Sequence, residues 1–167
     1  MLSKRTQRPA PADEPAEARL PGADEGLLRA LESVVVGAVG LTTRTLEATT
    51  PELELTFTQW RVLLVVGEHP AGIRIGALAI RVGTSVPSMS RLVRRLDLRG
   101  LVTAERGQDD RRATLVRLTP TGSAVRQRIL DDRRERLTDL LATVPSQTRA
   151  ESEPVFAALA LAMSDYR

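Results

Sequence analysis

Residues 83–122 read GTSVPSMSRLVRRLDLRGLVTAERGQDDRRATLVRLTPTG, and the succession of patterns in this stretch decides the fold. Ser85 is followed by Pro87, then by Met89, Leu92, Val93 and Leu96 at three- and four-residue spacing. A serine N-cap, a proline in the first turn and one apolar stripe specify a short amphipathic helix. Gly100 is its C-terminal stop. The period then changes. Leu101–Glu105 and Thr114–Leu118 are β-rich runs separated by the polar, turn-prone residues 106–112. They predict a β-hairpin with an exposed tip. Thr119-Pro120 pairs an N-cap with proline at the first helical position. A long helix is therefore expected to about Thr143, with Val125, Ile129, Leu130, Leu137, Leu140 and Leu141 apolar. Its densely charged middle, Arg126–Asp139, fits a solvated face.

Working upstream, Gly83 closes a short helix carrying Ile75, Leu78, Ala79 and Val82. The start of that helix is weakly specified, because Arg74 is a poor N-cap. Ala71-Gly72 is a turn. Thr56 and Gln59 have capping-box spacing, and Leu55 with Trp60 suits a hydrophobic staple. The helix they open should run through Val66 and stop around residues 67–70. A first helix begins near Asp24, with Leu27, Leu28, Leu31, Val34, Val35, Ala38 and Leu41 recurring at helical spacing. Gly37 and Gly40 weaken it but permit close approach by another helix. A final helix lies between Ser146 and Asp165, with Val155, Phe156, Leu159, Leu161, Ala162 and Met163 apolar. Pro154 either kinks it or marks its true start. Residues 1–22 hold four prolines, mixed charge and few large apolar side chains, the composition of a disordered tail. The predicted fold is mainly α with a small β-hairpin wing. A winged helix-turn-helix occupies residues 56–118, between helices in residues 23–55 and 119–167.

Composition narrows the function. The 167 residues fit one ordinary domain. The chain has no cysteine, which removes disulfides, thiolate zinc sites, cysteine nucleophiles and thiol redox sensing. His69 is the single histidine, so sites needing several imidazoles are excluded. It follows a helix end and reads as a C-terminal cap favoured by the helix dipole. Two Phe, one Tyr and one Trp leave little for a base-stacking RNA reader. Trp60 itself reads as core. No Gly-rich phosphate loop, metal cluster or nucleophile–base pair is visible, so neither catalysis nor a cofactor is expected. No apolar run approaches 18 residues and the N-terminus lacks a signal-like apolar segment. A soluble, cytoplasmic chain without a membrane partner is expected.

Charge points to a polyanion. Residues 81–117 hold nine arginines against four acids, a local net of +5 in a chain whose total is +3. This excess coincides with the helix-turn-helix and the hairpin. The helix opened by Ser85 has a small, polar start and an arginine-rich outer face, as entry into a major groove requires. Val86, Pro87, Ser88 and Arg91 are expected nearest the base edges, with Arg91 the guanine reader. Ser85 caps the helix and reaches toward phosphate. Ser90, Arg94 and Arg95 are positioning contacts. Met89 is core.

Taken together, these motifs resemble the MarR family of winged-helix transcriptional regulators. The resemblance rests on Leu78-Ala79, Gly83–Arg91, Leu92–Leu96, Arg99–Val102, Asp110-Arg111-Arg112 and Leu118–Gly122. Residues 56–63 and 68–70 fit as well, and the likeness covers about residues 24–165. It implies a homodimer whose terminal helices intertwine, gripping a pseudo-palindromic site on double-stranded DNA. It further implies that Arg112 enters the minor groove, that Asp110 orients its guanidinium, and that Arg111 touches phosphate. A small aromatic or phenolic acid is an effector that the resemblance allows. The competing reading is a winged helix used to bind protein, without sequence-specific DNA binding.

Overall fold

The structure, a computed structural model, describes residues 25–106 and 114–163. The proposed disordered tail lies outside the described residues. The chain divides after Gly37 into two compact units.

The smaller unit contributes the first part of helix α1 (Glu25–Thr49). Arg29 pairs with Glu25 one turn earlier at 2.8 Å, and Leu27, Leu28, Val34, Val35 and Val36 are exposed. The expectation that no segment could span a membrane needs correction. Arg29 and Glu32 interrupt the apolar run, but α1 still has an 18-residue window of mean hydropathy 1.3. By length and composition alone it is long and apolar enough to cross a bilayer.

The larger unit holds the rest of α1, a single 3-10 turn (Pro51–Leu53), α2 (Phe57–Gly67), β1 (Ile73–Arg74), α3 (Ile75–Val82), α4 (Val86–Leu98), β2 (Val102–Arg106), β3 (Thr114–Leu118), α5 (Pro120–Ala142) and α6 (Ser146–Ala162). α2 opens with the expected capping box: Gln59 N donates to Thr56 Oγ1 at 3.2 Å and Thr56 N to Gln59 Oε1 at 3.0 Å. Trp60, Val62, Leu63 and Val66 are buried and make α2 the centre of the core. Around them lie Leu78 and Val82 of α3, Met89, Val93 and Leu96 of α4, Leu101, Val116 of β3 and Ile129 of α5. His69 follows the end of α2, where Glu68 is the C-cap, and its Nδ1 meets the last-turn carbonyl Val65 O at 2.7 Å.

The sheet has three antiparallel strands in the order β1-β3-β2, one more than the hairpin alone. The added strand is two residues long, with Ile73 opposite Val116. Val102, Val116 and Ile73 point to the core. Helix α6 starts at Ser146, so Pro154 sits inside it and does not mark its start.

The passage from β3 into α5 is fixed by Leu101. Thr119 N donates to Leu101 O at 3.2 Å, and Thr119 Oγ1 donates to Gly100 O at 2.6 Å while capping Gly122 N at 2.9 Å. A side chain at Gly122 would overlap the Leu101 carbonyl, which is backbone and cannot swing away. A second tie joins the end of α1 to α5. Thr49 Oγ1 donates to Asp132 Oδ2 at 2.7 Å and Arg136 Nε to the same oxygen at 2.9 Å. The hydroxyl donor first, then the guanidinium, hold the Asp132 carboxyl below its ordinary pKa.

Two outcomes follow from these ties. Gly122→Ala should cost about 3 kcal/mol by overpacking, measured as a lower urea midpoint with unchanged slope. Asp132→Asn should cost about 1 kcal/mol at neutral pH. Because the folded pKa is depressed, that contribution is complete above roughly pH 4 and fades as pH falls through the folded value. The wild-type advantage over the variant should therefore shrink in urea titrations taken from pH 7 toward pH 3.

Candidate nucleic-acid interface

Two helices and the turn between them build the interface. α3 ends at Gly83 in the left-handed conformation (φ 72°), which a side chain would strain. Thr84 leads into Ser85, whose Oγ accepts from Ser88 N at 3.4 Å to cap α4. On α4, Met89, Val93 and Leu96 are buried to 2% exposure or less. The opposite face then carries Pro87, Arg91, Arg94 and Arg95; these four are exposed, as are Val86 in the first turn and Ser90 on the flank.

Most expected contact residues on α4 are thus brought together on one open face. Val86, 46% exposed, stands in the first turn with Pro87 beside it. Ser85, Ser88 and Arg91 form a local chain: Ser85 Oγ donates to Ser88 Oγ at 3.0 Å, and Arg91 Nη2 donates to the same oxygen at 3.1 Å. Ser88 is therefore half-buried and holds Arg91 against the start of the helix. The Ser90 hydroxyl donates inward to Val86 O at 2.9 Å, so its proton is already engaged. Arg94 and Arg95 lie one turn further along. Asp110, Arg111 and Arg112, the wing residues, lie outside the described residues.

The basic surface is smaller than the arginine count suggested. Arg117 belongs to the scaffold: its Nε donates to Ala71 O at 3.1 Å and its Nη1 meets Glu105 Oε2 at 3.3 Å. It braces the turn before β1 and cancels one acid. Sequence reasoning also passed over Arg61 on α2. Its guanidinium donates to the carbonyls of Arg81 and Val82 at the end of α3. The pairing is twenty residues distant along the chain, and no local pattern announces it.

Among the described residues of the larger unit, two cavities bear on ligand binding. One of about 450 Å³ is lined by Leu46, Glu47, Thr50, Pro51, Glu54 and Leu55. The other, about 240 Å³, lies among Val66, Gly67, His69, Pro70, Leu118 and Ser123. On α5, burial and then the neighbouring Arg126 cation lower the Arg133 pKa. Among the described residues no group of three or more His, Asp or Glu side chains is placed to hold a metal ion.

This arrangement has relatives. The MarR family model matches residues 53–113. The organic hydroperoxide resistance transcriptional regulator of Bacillus subtilis (strain 168) is 24% identical over 80 residues, 48% of this chain and 54% of that protein. The chain spans about half the length of that curated relative. Among solved structures, RV1404 from Mycobacterium tuberculosis superposes with a TM-score of 0.74 at 21% identity, covering 86% of this chain and 95% of that one. Streptococcus pneumoniae FabT in complex with DNA superposes with a TM-score of 0.70 at 12% identity, covering 86% and 99%. Residues 53–113 thus match the MarR family model, in a chain whose fold is that of the MarR-family winged-helix structures.

Proposed function

We propose that the chain is a transcriptional regulator that binds a pseudo-palindromic double-stranded DNA site as a homodimer and acts as a repressor. The observation that carries this reading is the face of α4. Its capped, small-residue start is open, and Arg91, Arg94 and Arg95 stand on the exposed side. Arginines in that place suit guanine edges and phosphates. The structure of FabT in complex with DNA supports the same use of the fold. Arg112, oriented by Asp110, completes the reading by entering the minor groove, with Arg111 on phosphate.

The homodimer is supported by apolar surface that a single chain leaves open. Leu27, Leu28, Val34, Val35 and Val36 are exposed on the first part of α1. In the larger unit so are Leu137, Leu140, Leu141, Val155, Phe156 and Leu161, the last at 76%. A second copy covering residues 23–55 and 119–167 would remove this area from water at roughly 25 cal/mol per Å². Such a protein works in the cytoplasm, where the DNA is.

Release by a small ligand completes the repressor reading. The larger cavity carries Glu47 and Glu54, which oppose a carboxylate. An aromatic or phenolic acid is better matched by the smaller one, beside His69 and Ser123. With no cysteine, thiol oxidation is not the trigger.

Fluorescence anisotropy with labelled duplex tests the reading. The Arg91→Glu, Arg112→Glu double variant should lose at least about 100-fold in DNA affinity while its dimer persists in analytical ultracentrifugation. Wild-type affinity should fall steeply with salt, since each neutralised phosphate contributes a slope of about −0.9. Unchanged affinity in the double variant would remove Arg91 and Arg112 as the reading contacts, and a wild type that binds no duplex would indicate a protein-binding module instead. A phenolic panel without effect on affinity would remove the ligand clause.

A further inference from the structure

Helix α4 is held at its start by the turn that follows α3, so the end of α3 sets where α4 points. A helix leaves its last four carbonyls without intrahelical donors. For α3 these belong to Ala79, Ile80, Arg81 and Val82, and each has a partner. Thr84 N donates to Ala79 O at 2.9 Å and Gly83 N to Ile80 O at 3.1 Å. The remaining two receive one guanidinium from another helix. Arg61 Nη2 donates to Arg81 O and Nη1 to Val82 O, both at 3.2 Å.

The chemistry of that contact is specific to arginine. A planar fork reaches two adjacent carbonyls at once, whereas an ammonium on a flexible stem does not fix both. The fork also places a full positive charge at the negative end of the α3 dipole. That end adjoins Gly83-Thr84-Ser85, the turn whose last residue caps α4. Arg61 is half-buried on α2, next in sequence to Trp60 and Val62, both buried in the core. Its stem is thereby anchored beside the buried core of the larger unit.

We propose that Arg61 is a positioning residue for DNA recognition: by clamping the last two carbonyls of α3 to α2, it fixes the helix-turn-helix angle and the approach of α4. The clamp acts through the turn, and it keeps a bare negative helix end from facing the phosphates beside the groove. The inference rests on the DNA-binding reading above and adds to it a residue outside the exposed arginine face.

The test uses the full chain, a duplex obtained by in vitro selection with the wild type, and a scrambled duplex. Arg61→Met keeps the apolar stem and removes the fork; Arg61→Lys keeps the charge and is the second variant should the first fold poorly. Arg61→Met should lower the selected-to-scrambled affinity ratio at least about 10-fold, with Arg61→Lys intermediate, while the dimer persists. Amide exchange at Gly83 and Thr84 should quicken, and that of the β2–β3 ladder should not. The salt slope should stay as in the wild type. A ratio and exchange rates equal to the wild type's would overturn the inference and leave the DNA-binding reading intact. So would a slope smaller by about one with unaltered exchange, since Arg61 would then be a phosphate contact. A wild type that selects no duplex would overturn the functional reading and the inference with it.

Discussion

Met89, Val93 and Leu96 are pinned in the core, and that stripe decides what α4 shows to solvent. A helix thirteen residues long has little stability of its own. It exists because one side is buried against α3 and the strand that follows, and its rotation is set by the burial. Turning it by one residue would bury an arginine and expose a methionine, at a cost of several kcal/mol. The arginine face is thus a consequence of packing, and its chemistry is free to serve recognition.

The two ends of the chain obey a different constraint. Around α2 the apolar residues are enclosed, whereas on α6 no residue is buried at all. The first half of α5 shares in the core through Ile129, and its second half exposes Leu137, Leu140 and Leu141. One helix therefore belongs at one end to a finished core and at the other to a surface awaiting cover. The joint is stiff, because Thr119 and Gly122 lock the start of α5 to Leu101. A rigid joint would carry a change at the exposed end into the winged helix.

Much of this was legible in the sequence because its signals are local. Thr56 with Gln59, Ser85, Gly83, Gly100 and Thr119-Pro120 each occupy the capping position they predict, since a cap is decided within four residues. The buried stripe of α4 and the core places of Trp60 and Met89 follow from spacing alone. What stayed hidden depends on pairing across distance. β1 is strand only because Ile73 meets Val116. Arg117 looks like any other arginine until Ala71 and Glu105 are beside it. Arg61 was invisible as a clamp for the same reason. α1 runs to Thr49, beyond the last apolar position of the expected stripe at Leu41, because Thr45 and Leu46 are buried in the larger unit and Thr49 bonds to α5.

The account stands on two copies of α4 meeting one duplex at the spacing of its major groove. Footprinting of the selected duplex, with the protein-to-DNA stoichiometry measured in the same sample, tests that most directly. The account predicts two subunits per site and two protected half-sites about 10 base pairs apart, centre to centre, on one face of the helix. A single subunit on one half-site, or protection without regard to sequence, would contradict it.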